Sequence, residues 1–184
     1  MDIEGEKIPA KQQQFIEEIT SVEINDSPLT CIESYNPESV NLLIGFDSGE
    51  ITTINTIDEI SNKRSMLKLH DNGITSACWI HKNMIASSGG LDIKLTDIEK
   101  EIEIRKFKAH TGDIIAVKAN KFGNILISAS HDKTIMMWDT RIIKPYACII
   151  AHGGDITSID ISNDSTCLVS ASIDGYCRLW DIFS

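Results

Sequence analysis

The sequence has no run of eighteen apolar residues, which excludes a membrane-crossing helix of ordinary length. Its first residues, Met1-Asp2-Ile3-Glu4-Gly5-Glu6, are acidic where a secretory signal would be basic and then apolar. The expectation is a protein that stays inside the cell and off the membrane. Five cysteines (Cys31, Cys78, Cys148, Cys167 and Cys177) are an odd number, with no CxxC pair or other zinc-type spacing. They read as reduced thiols, mostly small core residues, and no metal or cofactor is indicated. A basic stripe with interleaved aromatics is also missing. The net charge of −10 repels phosphate, so direct nucleic-acid binding is disfavoured.

That charge is uneven. Residues 1–60 hold thirteen acids against two lysines, whereas residues 61–184 hold fourteen acids and fifteen bases. A length of 184 residues suits one domain with a real core.

What the chain does contain is internal repetition. His110 is followed at fixed offsets by Ser128, Asp132 and Trp138-Asp139, and His152 by Ser170, Asp174 and Trp180-Asp181 at the same offsets. His70 opens a third copy with Ser88 and Asp92, in which Thr96-Asp97 stands in place of Trp-Asp. A degenerate fourth copy places Asn25, Leu43 and Asp47 at the His, Ser and Asp positions. Successive copies are 45, 40 and 42 residues apart. In the clearest one, Ile114–Ala119, Ile125–Ser130, Thr134–Asp139 and Ala147–Ile150 read as four short strands separated by polar turns.

The stretch Ile127-Ser128-Ala129-Ser130-His131-Asp132-Lys133-Thr134-Ile135-Met136-Met137-Trp138-Asp139 resembles the end of a WD repeat, the unit of WD-repeat propellers. The likeness covers about residues 20–184 and is strongest in the last two copies. It implies an all-β fold of four four-stranded antiparallel blades, over about 20–58, 64–98, 103–140 and 146–182. Since most rings of this family have seven blades, a partial ring is expected. The chain would then be a fragment of a longer propeller, one arc of an assembled ring, or a tightly closed ring of four. By family habit Thr20–Ile24 would be an outer strand that helps close the ring, and residues 1–19 a mobile tail or short helix.

A His, a Ser and an Asp together also describe a nucleophilic triad, which makes a hydrolase the enzymatic alternative. Repetition argues against it, because an enzyme needs the constellation once while every blade needs the same bracing. In the structural reading the Trp138 indole donates to Ser128, the Ser128 hydroxyl donates to His110, and Asp132 holds the other ring N–H. His152, Ser170, Asp174 and Trp180 repeat this, and His70, Ser88 and Asp92 form a shorter version. The N-terminal half should therefore be the softer half.

The resemblance further implies that partner proteins bind on the face formed by the loops between outer and inner strands and between the two middle strands. Carried over by position, the binding residues are Phe46, Leu91, His131 and Ile173, then Thr30, Thr75, Ile115 and Thr157, with Pro28, Gly73, Asp113 and Asp155 beside them. Phe46, Leu91, Ile115 and Ile173 would form an apolar patch with an acidic rim, suited to a basic peptide segment. The leading functional expectation is a non-enzymatic scaffold subunit. Two narrower expectations are a substrate receptor of a cullin-type ubiquitin ligase, from Trp138-Asp139-Thr140-Arg141, and a subunit of a histone-modifying complex, from Ser170–Asp181.

Overall fold

The computed structural model describes residues 26–35, 41–55 and 66–182, and every regular element in them is a β-strand. The first blade is β1 (Leu29–Ser34), β2 (Asn41–Phe46), β3 (Glu50–Asn55) and β4 (Leu67–Lys68). The second is β5 (Ser76–His81), β6 (Met84–Gly89), β7 (Asp92–Asp97) and β8 (Ile102–Lys108). The third is β9 (Ile114–Ala119), β10 (Ile125–Ser130), β11 (Thr134–Asp139) and β12 (Pro145–Ile150). The fourth has three described strands, β13 (Ile156–Ile161), β14 (Cys167–Ser172) and β15 (Cys177–Asp181). Each sheet is antiparallel and pairs its strands in chain order, so the chain is an all-β propeller of four blades. The tail over 1–19, the strand expected over 20–24 and Asn25 lie outside the described residues.

The innermost strands β1, β5, β9 and β13 adjoin in that order. Lys118 on β9 reaches back to Glu33 on β1 at 3.0 Å, tying the third blade to the first. Alternation along each strand sends one set of side chains to each neighbouring blade, so a core forms at every junction. Leu43, Ile51, Ile74, Ala77 and Ile85 fill the first junction. Ala86, Ile93, Leu95 and Phe107 meet Leu126 and Trp138 at the second. Ile127, Ala129, Ile135 and Met137 meet Ile156, Ile159 and Leu168 at the third. Among the described residues nothing covers the corresponding face of the fourth blade: Leu179 is 73% exposed, while Met137, 42 residues earlier and at the same place in its blade, is 7% exposed.

Turn lengths account for the uneven period. From Ile114, four residues after its histidine, to the start of β10 is eleven residues, and from there to the start of β11 is nine. In the second blade the same spans, Ile74 to Met84 and Met84 to Asp92, are ten and eight. Each of two turns has lost one residue, and the three inner strands keep six residues each. In the first blade the span from Leu29 to Asn41 is twelve, one residue longer.

These one-residue differences correct four assignments made by counting from the histidine. The serine opposite His70 is Ser87, and Ser88 instead bonds Thr75 on the other face of the sheet. Asp92 is the first residue of β7, at the place of Thr134 in the third blade, and it pairs with Lys106 and Lys108. In the first blade Ile44 and Ser48 hold the Ser and Asp positions that Leu43 and Asp47 were expected to fill. A shift of one residue along a strand reverses the face on which a side chain lies.

The turns between the middle strands also link consecutive blades. Lys133, with φ 69°, closes the turn after β10, and its carbonyl accepts from the Ala151 and His152 N–H groups at 3.0 and 3.4 Å. Gly49, with φ 82°, does the same for Leu69 and His70 at 3.0 and 3.1 Å. A three-residue hairpin turn needs a left-handed residue at its end, where glycine is unstrained and lysine is not.

Candidate functional site

His70, His110 and His152 each sit buried in the loop that enters a blade, and the preceding turn holds the backbone of His70 and His152. In the third blade His110 Nε2 lies 2.7 Å from Ser128 Oγ, and the Trp138 indole donates to the same oxygen at 2.9 Å. With that lone pair taken, the hydroxyl proton is directed to Nε2, so the ring carries its own proton on Nδ1. Nδ1 faces Asp132 Oδ2 at 2.9 Å. Asp132 also accepts from the Thr111 N–H at 2.9 Å and the Thr134 hydroxyl at 2.6 Å. Burial opposes its charge, but the hydrogen bonds from Thr134, Thr111 and His110 hold its carboxyl well below the usual carboxylate range.

The fourth blade repeats this geometry. His152 Nε2 is 2.8 Å from Ser170 Oγ, Trp180 donates to that oxygen at 2.9 Å, and Asp174 sits 3.1 Å from Nδ1. In the second blade only His70 Nε2 to Ser87 Oγ remains, at 3.0 Å. Thr96 occupies the place of the tryptophan, fully buried, and its hydroxyl has no partner among the described residues. No carboxylate bonds His70 among the described residues, and Lys94 reaches the neighbouring Leu69 carbonyl at 2.6 Å. Burial and the Lys94 cation together push the His70 imidazole down to about 4.

On the loop face, Thr30, Gly73, Thr75, Asp113 and Ile115 line one cleft of about 580 Å3 between the first three blades. Asp47 and Asn72 line it too, with Ile74 and Gly90. Asp47 is exposed and takes the place assigned to Phe46, which the extra residue before β2 moves into the interior, fully buried. Phe46 is therefore not a surface contact; a hydrophobic residue at the end of a central strand is the signal that would have placed it inside. Asp113 and Asp47 thus give the cleft two carboxylates. His131 and Asp155 pair across the last two blades, Nδ1 to Oδ2 at 3.1 Å, outside this cleft. Leu91 and Ile173 are exposed on their turns, Thr157 is exposed on β13, and Pro28 is exposed ahead of β1. The four apolar residues expected to form one patch are split among a core position, the cleft wall and two separate turns.

Arg141 follows β11, with its side chain 77% exposed. Its guanidinium grips Asp139 through Nε to Oδ1 at 2.8 Å and a second nitrogen to Oδ2 at 2.6 Å. The bond to Arg141 holds the Asp139 carboxyl down to about 2.

The WD domain, G-beta repeat family matches residues 102–139 and 143–181, the third and fourth repeats of strands and turns. The APC/C activator protein CDC20 of Saccharomyces cerevisiae is 27% identical over 118 residues, 62% of this chain and 19% of that protein. The COMPASS component SWD2 of the same yeast is 25% identical over 135 residues, 71% of this chain and 37% of that protein. WD repeat and FYVE domain-containing protein 2 of Caenorhabditis briggsae is 30% identical over 101 residues, 53% of this chain and 24% of that protein. The chain therefore spans between about a fifth and two fifths of the length of these relatives. With the repeated histidine, serine and tryptophan bracing of its blades, this makes the chain a β-propeller that carries WD repeats.

Proposed function

We propose that this chain is a non-enzymatic interaction subunit of a multiprotein complex, and that it receives a basic peptide segment in the cleft between its first three blades. The observation that carries this reading is the cleft itself: Asp47 and Asp113 flank polar Thr30, Asn72 and Thr75, with Ile115 as an apolar wall. Two carboxylates on one concave surface favour a lysine or arginine side chain and disfavour an acidic one. The family is one of scaffolds, and both Ser128 and Ser170 lie buried under an indole, out of reach of a substrate. That favours bracing over hydrolysis. The five free thiols agree with a reducing, intracellular setting.

The test is binding of a short fluorescent peptide rich in arginine and lysine, beside its glutamate counterpart, measured by anisotropy at two salt concentrations. The basic peptide should bind, more weakly at higher salt, and Asp47→Lys with Asp113→Lys should abolish binding without lowering the melting temperature. Equal binding of both peptides, or capture that survives the double substitution, overturns the proposal. The apolar contribution is tested by Ile115→Thr at the cleft wall, which should weaken binding of the basic peptide.

A narrower reading is suggested by Arg141, whose guanidinium Asp139 fixes on the outside of the third blade. An adaptor of a cullin-type ubiquitin ligase would contact it there, and wild type but not Arg141→Ala should then retain purified adaptor. The likeness to a COMPASS component supports the alternative of a chromatin-modifying complex.

A further inference from the structure

The outer strand β12 is hydrogen-bonded on one side only, to β11, among the described residues. Its other edge keeps half of its N–H and C=O groups directed away from the sheet, a template for another strand. Proteins guard such edges with charge, and the outer strand of the second blade does so: β8 carries Glu103, Arg105, Lys106 and Lys108. β12, Pro-Tyr-Ala-Cys-Ile-Ile, has no charged residue. Its outward side chains are apolar as well, with Tyr146 55% exposed, Cys148 exposed and Ile150 83% exposed. Ile142 and Ile143, in the loop leading into the strand, extend the same surface.

We propose that β12 pairs antiparallel with β12 of a second copy of this chain, joining two third blades into one continuous sheet about a two-fold axis. The occupant follows from the strand's own pattern. A two-fold axis through Cys148 sets Tyr146 of each copy opposite Ile150 of the other, an aromatic and β-branched cross-strand pair formed twice. No like charges meet between residues 145 and 151, so identical strands do not repel in this register. A self-complementary patch closes after two copies and leaves no edge to propagate. The two Cys148 residues meet at the axis with Cα atoms about 4.5–5.5 Å apart, a separation that a disulfide spans.

The experiment is sedimentation of the intact chain, in reducing buffer, over a concentration series from micromolar to millimolar. A reversible dimer is expected, weak because one strand pair buries little area. Ile150→Lys, at a solvent-facing position, places a cation on the edge; it should leave the melting temperature unchanged and raise the dimer dissociation constant about tenfold or more. Mild oxidation with diamide should yield a disulfide-linked dimer in wild type and Cys177→Ser, and none in Cys148→Ser. Cys148→Ser should still dimerise in reducing buffer. A chain that stays monomeric throughout the series, a dimer indifferent to Ile150→Lys, or a cross-link through any cysteine other than Cys148 overturns the proposal.

Discussion

Replacing Ser128 by alanine removes one hydroxyl and strands two buried groups. The Trp138 indole donates to that oxygen at 2.9 Å and His110 Nε2 lies 2.7 Å from it, with all three residues buried. Leaving a buried donor or acceptor unpaired costs about 1–3 kcal/mol, so Ser128→Ala should destabilise by about 2–4 kcal/mol, less than twice the single figure because the groups share one network. For a chain of this size that is a fall in melting temperature of about 5–15 °C. Ser87→Ala removes the equivalent hydroxyl in the second blade, where Thr96 replaces the tryptophan and only His70 loses a partner. Its cost should be about 1–2 kcal/mol, and Ser88→Ala should leave His70 untouched. Urea unfolding of the three variants gives the order directly. A cost for Ser87→Ala equal to that of Ser128→Ala, or a neutral Ser128→Ala, would refute the account of these residues as hydrogen-bonded braces.

Four further outcomes are expected. His70 is held near 4 against an ordinary value of 6.5, so the unfolded chain takes up its proton first as pH falls. Stability should be full above about pH 6.5 and decline towards pH 4, by up to about 3 kcal/mol, and urea titrations of Lys94→Met should show a shallower decline. Below that window, protonation of Asp132 and Asp174, both depressed in the folded state, should add a second loss of stability under strongly acid conditions. Thr96→Val keeps the shape and removes an unpartnered buried hydroxyl, so it should raise stability by about 1 kcal/mol in thermal melts. Lys133→Gly should relieve a left-handed residue that the first blade already fills with Gly49, for a gain of up to about 1 kcal/mol by the same assay.

The sequence by itself determined the blade type, because the long-offset recurrence of His110, Ser128 and Trp138 in His152, Ser170 and Trp180 has a single physical use, a buried chain of donors and acceptors. The strands of the third repeat were legible for the same reason: β-branched and aliphatic alternation between polar turns leaves little choice of register. Where a turn gained or lost one residue the offsets misled, and only the tertiary structure decided that Ser87 faces His70, that Asp92 answers to Lys106 and Lys108, and that Phe46 is core while Asp47 lies in the cleft. Side chains alternate with a period of two, so a one-residue shift keeps the strand and exchanges its faces. The cleft was beyond the sequence on a second count. Thr30, Asp47, Thr75 and Asp113 come from three blades, and their convergence depends on how those blades pack, which no local pattern encodes.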